Sequence, residues 1–242
     1  MKKSVLVVML VGGVLAGLVA MAASANAQTI SIDDSGSFSY PYTDVPADRR
    51  WTLSSADLGG FDPTGSDKLV LAISGEKLGT YEEISYGGVA MTQIFAITVS
   101  TTPRNLAIYY LDDIPASVTN LVVDLSGGNG VGLAVIALSG TQAGFVSPPS
   151  ITLATSTSIT TTDANSLVVA AAVNNNTGGV PAEPPLTQVY SGESGSAGHG
   201  SGYQQVPESG TTITPTFTGA EAVGAVEFLA IQPPAGTVVV IK

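Results

Sequence analysis

The chain has 242 residues, of which 44% are hydrophobic and only 11% are charged, and it contains no cysteine and a single histidine. These counts exclude disulfides, thiol catalysis, cysteine-bound zinc and a histidine-rich metal centre. The formal net charge of −11 argues against nucleic acids and anionic membrane surfaces as partners, and the length is enough to bury a substantial core.

Residues 1–27 have the pattern of a secretory signal peptide. Two lysines precede an apolar run from Val5 to Ala23, and residues 25–27 form an Ala-Asn-Ala cleavage pattern. We therefore expect a mature chain from Gln28, secreted to the extracellular space or cell surface, with no membrane insertion after cleavage. An uncleaved anchor is the alternative, because the run is about long enough to span a bilayer. Two of the eight basic residues and none of the acids precede Gln28, which leaves six basic and nineteen acidic residues, a net charge of −13.

Aromatic and basic residues cluster soon after the predicted cleavage site. Aromatic side chains that remain exposed can stack on the faces of sugar rings, and neighbouring polar side chains can fix the ligand. The cluster is therefore a candidate carbohydrate site, made of Tyr40, Tyr42, Arg49, Arg50 and Trp51. The alternative is that Trp51 fills the core between two sheets while the arginines are solvated.

Three aspartates, Asp57, Asp62 and Asp67, fall within eleven residues that also contain glycines. Calcium prefers several oxygen ligands, and glycines allow a loop to bend around the ion. The segment is therefore a candidate calcium site, and no other cofactor is expected. Aspartates that merely form turns and add solubilising charge are the alternative.

Short apolar runs that end in turn residues recur along the rest of the chain. Residues 67–73, 121–125, 131–138 and 166–173 are each followed by Gly, Ser or Asn. This pattern predicts an all-β protein, an antiparallel β-sandwich or jelly roll, without a capped helix of ten or more residues. Residues 220–231, the nearest helical candidate, are also predicted to form a strand.

Three segments recur in the same order 92 to 98 residues further along the chain: 68–72 as 166–170, 91–95 as 186–190, and 131–135 as 223–227. We predict one sandwich domain over residues 28–232, with two pseudo-repeated halves at about 50–140 and 150–232. Two small tandem sandwiches are the alternative.

Four further segments carry a resemblance to a known module: residues 84–92, 107–111, 114–119 and 137–140. They resemble a jelly-roll-like module of bacterial secreted and cell-surface proteins, over roughly residues 65–232. The resemblance implies a β-sandwich on a secreted protein. Because the module is mostly of unknown function, it implies no activity and no functional residues.

Residues 191–202 contain five glycines, four serines and the only histidine, His199. We expect them to form a loop or flat edge that packs no core, with His199 in solvent. A catalytic triad needs a histidine held rigidly beside a nucleophile, and no Gly-x-Ser-x-Gly elbow precedes a helix. No catalytic residue is predicted, and the protein is not expected to be an enzyme.

Residues 233–242 begin with a Pro-Pro break and continue as an apolar run with strand character. Such a strand can complete its own sheet or add to the sheet edge of a neighbouring molecule. The second arrangement makes Val238, Val239, Val240 and Ile241 candidate self-association residues.

These observations favour a secreted, non-catalytic bacterial surface or extracellular-matrix protein with a structural or adhesive role, self-associating through sheet edges. Its expected partners are itself, other surface proteins or glycans. A carbohydrate-binding module is the alternative. A secreted glycoside hydrolase is the third hypothesis, and it requires two carboxylates facing each other across a groove.

Overall fold

The computed structural model describes residues 28–40, 46–76, 80–99, 104–117, 120–128, 130–144, 148–176, 178–195 and 197–232. Within these ranges the protein contains strands and turns but no helix, which confirms the predicted all-β class. Consequently no helix there is long and apolar enough to cross a membrane. The predicted leader, Tyr42 and residues 233–242 lie outside the described residues.

The described residues form sixteen strands. They are β1 (Ser31–Tyr40), β2 (Arg50–Leu53), β3 (Lys68–Glu76), β4 (Tyr81–Tyr86), β5 (Val89–Ala90), β6 (Thr92–Val99), β7 (Arg104–Asp112), β8 (Leu121–Leu125), β9 (Gly130–Ser139), β10 (Ser150–Thr152), β11 (Ile159–Thr160), β12 (Ser166–Asn174), β13 (Thr187–Ser194), β14 (Ala197–Val206), β15 (Thr212–Ile213) and β16 (Ala222–Phe228).

These strands pair into four antiparallel sheets. The first central sheet has the order β1-β9-β3-β7-β6, and the second has the order β10-β16-β12-β14-β13. The first outer sheet, β2-β8-β4-β5, packs on the first central sheet, and the pair β11-β15 packs on the second. The result is an all-β sandwich of stacked antiparallel sheets.

The central strands are continuously apolar because both of their faces are covered. Along β3, Leu69 and Leu71 point into the core shared with the first outer sheet. Val70 and Ala72 point the other way, into the core between the two central sheets, because successive strand residues face opposite sides. All nine residues of β3 and all nine of β12 are buried, so their runs of valine, leucine and alanine need no polar alternation.

The two central sheets have the same topology. Strands β1, β9, β3, β7 and β6 correspond in order to β10, β16, β12, β14 and β13. The three recurring sequence segments fall on corresponding strands, and both edge hairpins contain a bulge at the same place, between Gln93 and Phe95 and between Gln188 and Tyr190. Both halves contribute to the core between the central sheets. That contact is compatible with one domain and with two packed sandwiches, so the domain division stays a prediction.

The prediction that residues 191–202 pack no core and leave His199 in solvent was wrong, although residues 191–194 do lie on an edge strand. The segment belongs to β13 and β14, and β14 lies inside the second central sheet, between β12 and β13. His199 is 1% exposed. The glycines serve close packing: a Cβ at Gly200 would collide with the carbonyl oxygen of Val180. The absence of side chains therefore lets a neighbouring segment lie directly on the strand.

Candidate functional site

Trp51 is a core residue. It lies on β2 with 3% of its surface exposed, and its ring contacts the Tyr40 ring edge-on at a centroid distance of 6.1 Å. Burial leaves the indole no open face on which a sugar ring can stack. This is the geometry of the alternative interpretation, in which Trp51 fills the core between two sheets.

The two arginines beside Trp51 contact other parts of the first half. The Nε of Arg49 donates to the carbonyl oxygen of Gly128 at 3.1 Å. The Nη1 of Arg50 lies 2.7 Å from a carboxylate oxygen of Glu83 and 2.8 Å from one of Asp124. Hydrogen bonds from Arg50 and Ser85 hold the pKa of Glu83 below its usual value. The structure thus brings Tyr40 and Trp51 together in the core and directs Arg50 to acidic side chains on neighbouring strands.

Each of the three aspartates of the candidate calcium loop accepts hydrogen bonds from a different residue. Asp57 accepts hydrogen bonds from the backbone and hydroxyl of Ser54, at 2.8 and 2.6 Å. Asp62 accepts from the backbone of Thr64 at 2.9 Å, and Asp67 accepts from the backbone of Gly140 at 2.6 Å. Among the residues that the structure describes, no three acids or histidines are grouped so that they could hold a metal ion. The loop therefore has the turn-forming arrangement, and a calcium site here stays a prediction.

A buried polar cluster lies between the central sheets. Sequence reasoning missed it because it placed His199 in solvent. His199 on β14 contacts the hydroxyl of Ser74 on β3 through its Nδ1. Burial and the positive charge of Arg104 lower the pKa of His199 from 6.5 to about 3, so the ring is neutral at physiological pH.

The serine–histidine contact has no access for a substrate. The cluster encloses a cavity of about 10 Å³, lined also by Tyr190 and Ser201, which is room for about one water molecule. The ring of His199 lies over Gly132 of β9, where a Cβ would collide with it. This histidine therefore packs the interface between the two sheets.

A surface groove opens where the first outer sheet meets the edge of the first central sheet. It lies between the beginning of β4 and the strands β6 and β7, and its volume is about 360 Å³. Among the described residues that line it, none has a charged side chain. They include Thr80, Tyr81, Gln93, Ala96, Thr98 and Asn105.

Hydrogen bonds fix the polar side chains of this groove. The hydroxyl of Tyr109 donates to Oε1 of Gln93 at 2.9 Å. The hydroxyl of Thr98 donates to Oδ1 of Asn105, also at 2.9 Å. Burial raises the pKa of Tyr109, so its hydroxyl remains a donor throughout the physiological range. Both amide groups are therefore held in one orientation before any ligand arrives.

The edge strand that borders the groove is β6. It contains eight residues, Thr-Gln-Ile-Phe-Ala-Ile-Thr-Val, without charge, proline or glycine. It pairs with β7 on one side, and no strand in the described ranges pairs with its outer side. The sequence signal for this edge is its lack of any charged residue.

The other edges of the central sheets differ from β6. Strand β1 carries Asp33 and Asp34, β13 contains Gly192 and Glu193, and β10 has only three residues. Charged side chains and short length are among the features by which sheet edges avoid pairing with other chains, and glycine weakens a strand. Among the described edges of the two central sheets, β6 is thus the one best suited to accept another strand.

Comparisons with protein-family models, with curated proteins and with solved structures find no match for this chain.

Proposed function

We propose that this protein is a secreted, non-catalytic bacterial surface or matrix protein that has a structural or adhesive role and associates with a second copy of itself through β6. The observation that carries the proposal is the open, uncharged edge of β6 at the side of a five-stranded sheet. Pairing two such edges extends the first central sheet from one molecule into the next.

The length of β6 supports a specific contact. The five residues beyond its bulge, 95–99, pair regularly with β7 and span about 17 Å, at about 3.4 Å per residue. The outer backbone N–H and C=O groups of such a strand are a template for antiparallel pairing. Pairing β6 with β6 is self-complementary, because each molecule presents the same surface to the other, and it gives a closed dimer.

Charge also favours β6 as the contact. The mature chain carries a net charge of −13, so two molecules repel each other over most of their surfaces. The edge itself and the lining of the adjacent groove carry no charge, so this is where two copies can approach with the least repulsion. Because salt screens the remaining repulsion, association should strengthen as ionic strength rises.

The leader pattern and the resemblance to a module of secreted bacterial proteins support the location. None of the described residues that line the groove beside β6 carries a carboxylate, so these residues do not supply the pair of acids that a glycoside hydrolase requires.

The test is the mass of the mature chain, residues 28–242, by light scattering after size exclusion over a wide range of concentrations. A lysine on β6 is the perturbation, since a charge on an edge opposes pairing. The variant Ala96→Lys changes an exposed alanine of β6, and its matched control, Ala154→Lys, changes an exposed alanine in a bend outside the strands. We expect a dimer at high concentration that Ala96→Lys abolishes and Ala154→Lys preserves. A monomer at every concentration and salt level would overturn the proposal.

The C-terminal run gives a second arm to the same experiment. Deletion of residues 237–242 removes Val238 to Ile241, the other predicted self-association residues. If association depends on β6 pairing alone, the deletion leaves the mass unchanged. Loss of the dimer on deletion, with Ala96→Lys still dimeric, would replace β6 by the C-terminal run as the contact.

A further inference from the structure

We infer that the groove between β4 and β6 is a binding site for a neutral saccharide. The inference does not depend on self-association: pairing uses the backbone edge of β6, whereas the groove is lined by side chains such as Gln93 and Thr98. It also differs in position from the candidate carbohydrate site around Trp51, which the fold buries.

The size of the groove suits a small ligand. Its volume of about 360 Å³ lies within the range of about 300–1,000 Å³ that small-molecule sites occupy. The lining combines the aromatic ring of Tyr81 and the apolar side chain of Ala96 with hydroxyl and amide groups. Sites of this kind bury the apolar faces of a ligand and use a few polar groups to orient it.

The described residues of the lining point to the chemical class, because none of them is charged. A phosphate, a carboxylate or a metal ion would need cationic or anionic side chains to replace its water. The polar groups that these residues offer are hydroxyls and amides, which can both donate and accept hydrogen bonds. A ligand that carries many neutral hydroxyls on an otherwise apolar ring matches this combination.

The polar groups are held in place in advance. The hydrogen bond from Tyr109 occupies Oε1 of Gln93, and the remaining Nε2 group of that amide is a donor. Thr98 donates its own proton to Asn105, so its oxygen remains an acceptor. Side chains fixed before binding lose little conformational freedom when a ligand arrives, and this favours affinity.

The aromatic wall of the groove is also held in place. The ring of Tyr81 packs edge-on against Tyr109, with 5.9 Å between the ring centroids. A ring that is fixed in advance loses little conformational freedom when a ligand packs against it.

The second half of the chain uses the corresponding glutamine differently. Gln188 occupies the position of Gln93 at the equivalent bulge, but its Oε1 accepts a hydrogen bond from the backbone N–H of Ala182 at 3.2 Å. The repeat thus places a glutamine at two equivalent positions with different surroundings. Only Gln93 lines the groove, so a substitution of Gln188 is a matched control for a substitution of Gln93.

The test is calorimetric titration of the mature chain with neutral tetrasaccharides: cellotetraose, xylotetraose, maltotetraose and tetra-N-acetylchitotetraose. The acidic tetragalacturonate serves as a charged comparison. We expect at least one neutral tetrasaccharide to bind with a dissociation constant in the micromolar to millimolar range, and the acidic one not to bind. Absence of binding by all four neutral probes at millimolar concentration, or equal binding of the acidic probe, would overturn the inference.

Variants locate the binding in the groove. Gln93→Ala and Thr98→Val each remove a neutral hydrogen-bonding group, so each should weaken binding roughly tenfold. Gln188→Ala should bind as the unchanged chain does. Equal affinities of Gln93→Ala and Gln188→Ala would place the ligand elsewhere. Since these substitutions add no charge to β6, the mass of each variant by light scattering reports on self-association separately.

Discussion

We predict that lowering the pH from about 7 to about 5 destabilises the folded chain through His199. In the folded state, burial between the central sheets and the charge of Arg104 lower the pKa of this ring from 6.5 to about 3. In the unfolded chain His199 therefore binds a proton below about pH 6.5, whereas in the folded chain it binds one only below about pH 3. Stability is full above pH 6.5 and is lost as the pH falls through this interval.

The magnitude follows from the same two pKa values. Each pH unit below the pKa of the unfolded state costs about 1.4 kcal/mol of unfolding free energy, so the loss at pH 5 is about 2 kcal/mol. Because His199 is the only histidine, no other imidazole contributes. The carboxylates whose pKa values are lowered, such as Asp57 and Glu83, begin to lose their contribution only at lower pH.

The assay is urea unfolding at pH 7 and pH 5, followed by the fluorescence of Trp51, the only tryptophan, which is buried in the folded state. The comparison variant is His199→Gln, which cannot titrate and keeps a hydrogen-bonding group near Ser74. The unchanged chain should lose about 2 kcal/mol more than the variant between the two pH values. Equal losses in the two proteins would refute the burial of His199 between the sheets.

Three further substitutions test the packing of the central sheets. Asp112→Ala removes the ion-pair partner of Lys68, a lysine with no exposed surface. Because the lysine charge then loses that partner, the substitution should cost about 3 kcal/mol of unfolding free energy, measured by urea unfolding. Adding Lys68→Met to the Asp112→Ala variant should recover part of this loss in the same assay. Gly132→Ala places a Cβ against the ring of His199 and should cost about 1–3 kcal/mol in the same assay, whereas an unchanged midpoint would show that the sheets can separate at this point without penalty.

The fold class could be predicted because both central sheets are covered on two sides. Strands such as β3 and β12 are then apolar at every position, and turn residues mark their ends. The repeat could also be recognised in the sequence. Gln93 and Gln188, which it aligns, occupy equivalent bulges on equivalent edge strands. The prediction from composition was wrong at β14. Its glycines suggested a loop, but in the structure they allow Val180 and Phe217 to approach the strand closely.

The candidate groove could not be predicted from the sequence. It combines Tyr81 from the first outer sheet with Gln93 and Asn105 from the central sheet, and only the packing of two sheets brings these residues together. The Trp51 cluster illustrates the opposite case. Its residues are close in sequence, but Trp51 and Arg50 alternate along β2 and therefore face opposite sides, one into the core and one toward Glu83 and Asp124.

Amide hydrogen exchange of the mature chain at low and at high protein concentration tests the central claim most directly, because it identifies the strand that meets the second copy. If β6 pairs with β6, the amides of residues 92–99 become protected as concentration rises. The amides of the other long edge strands, β1 and β13, should exchange at unchanged rates. Protection that rises at β1, at β13 or in residues 237–242 while β6 exchanges freely would contradict the account.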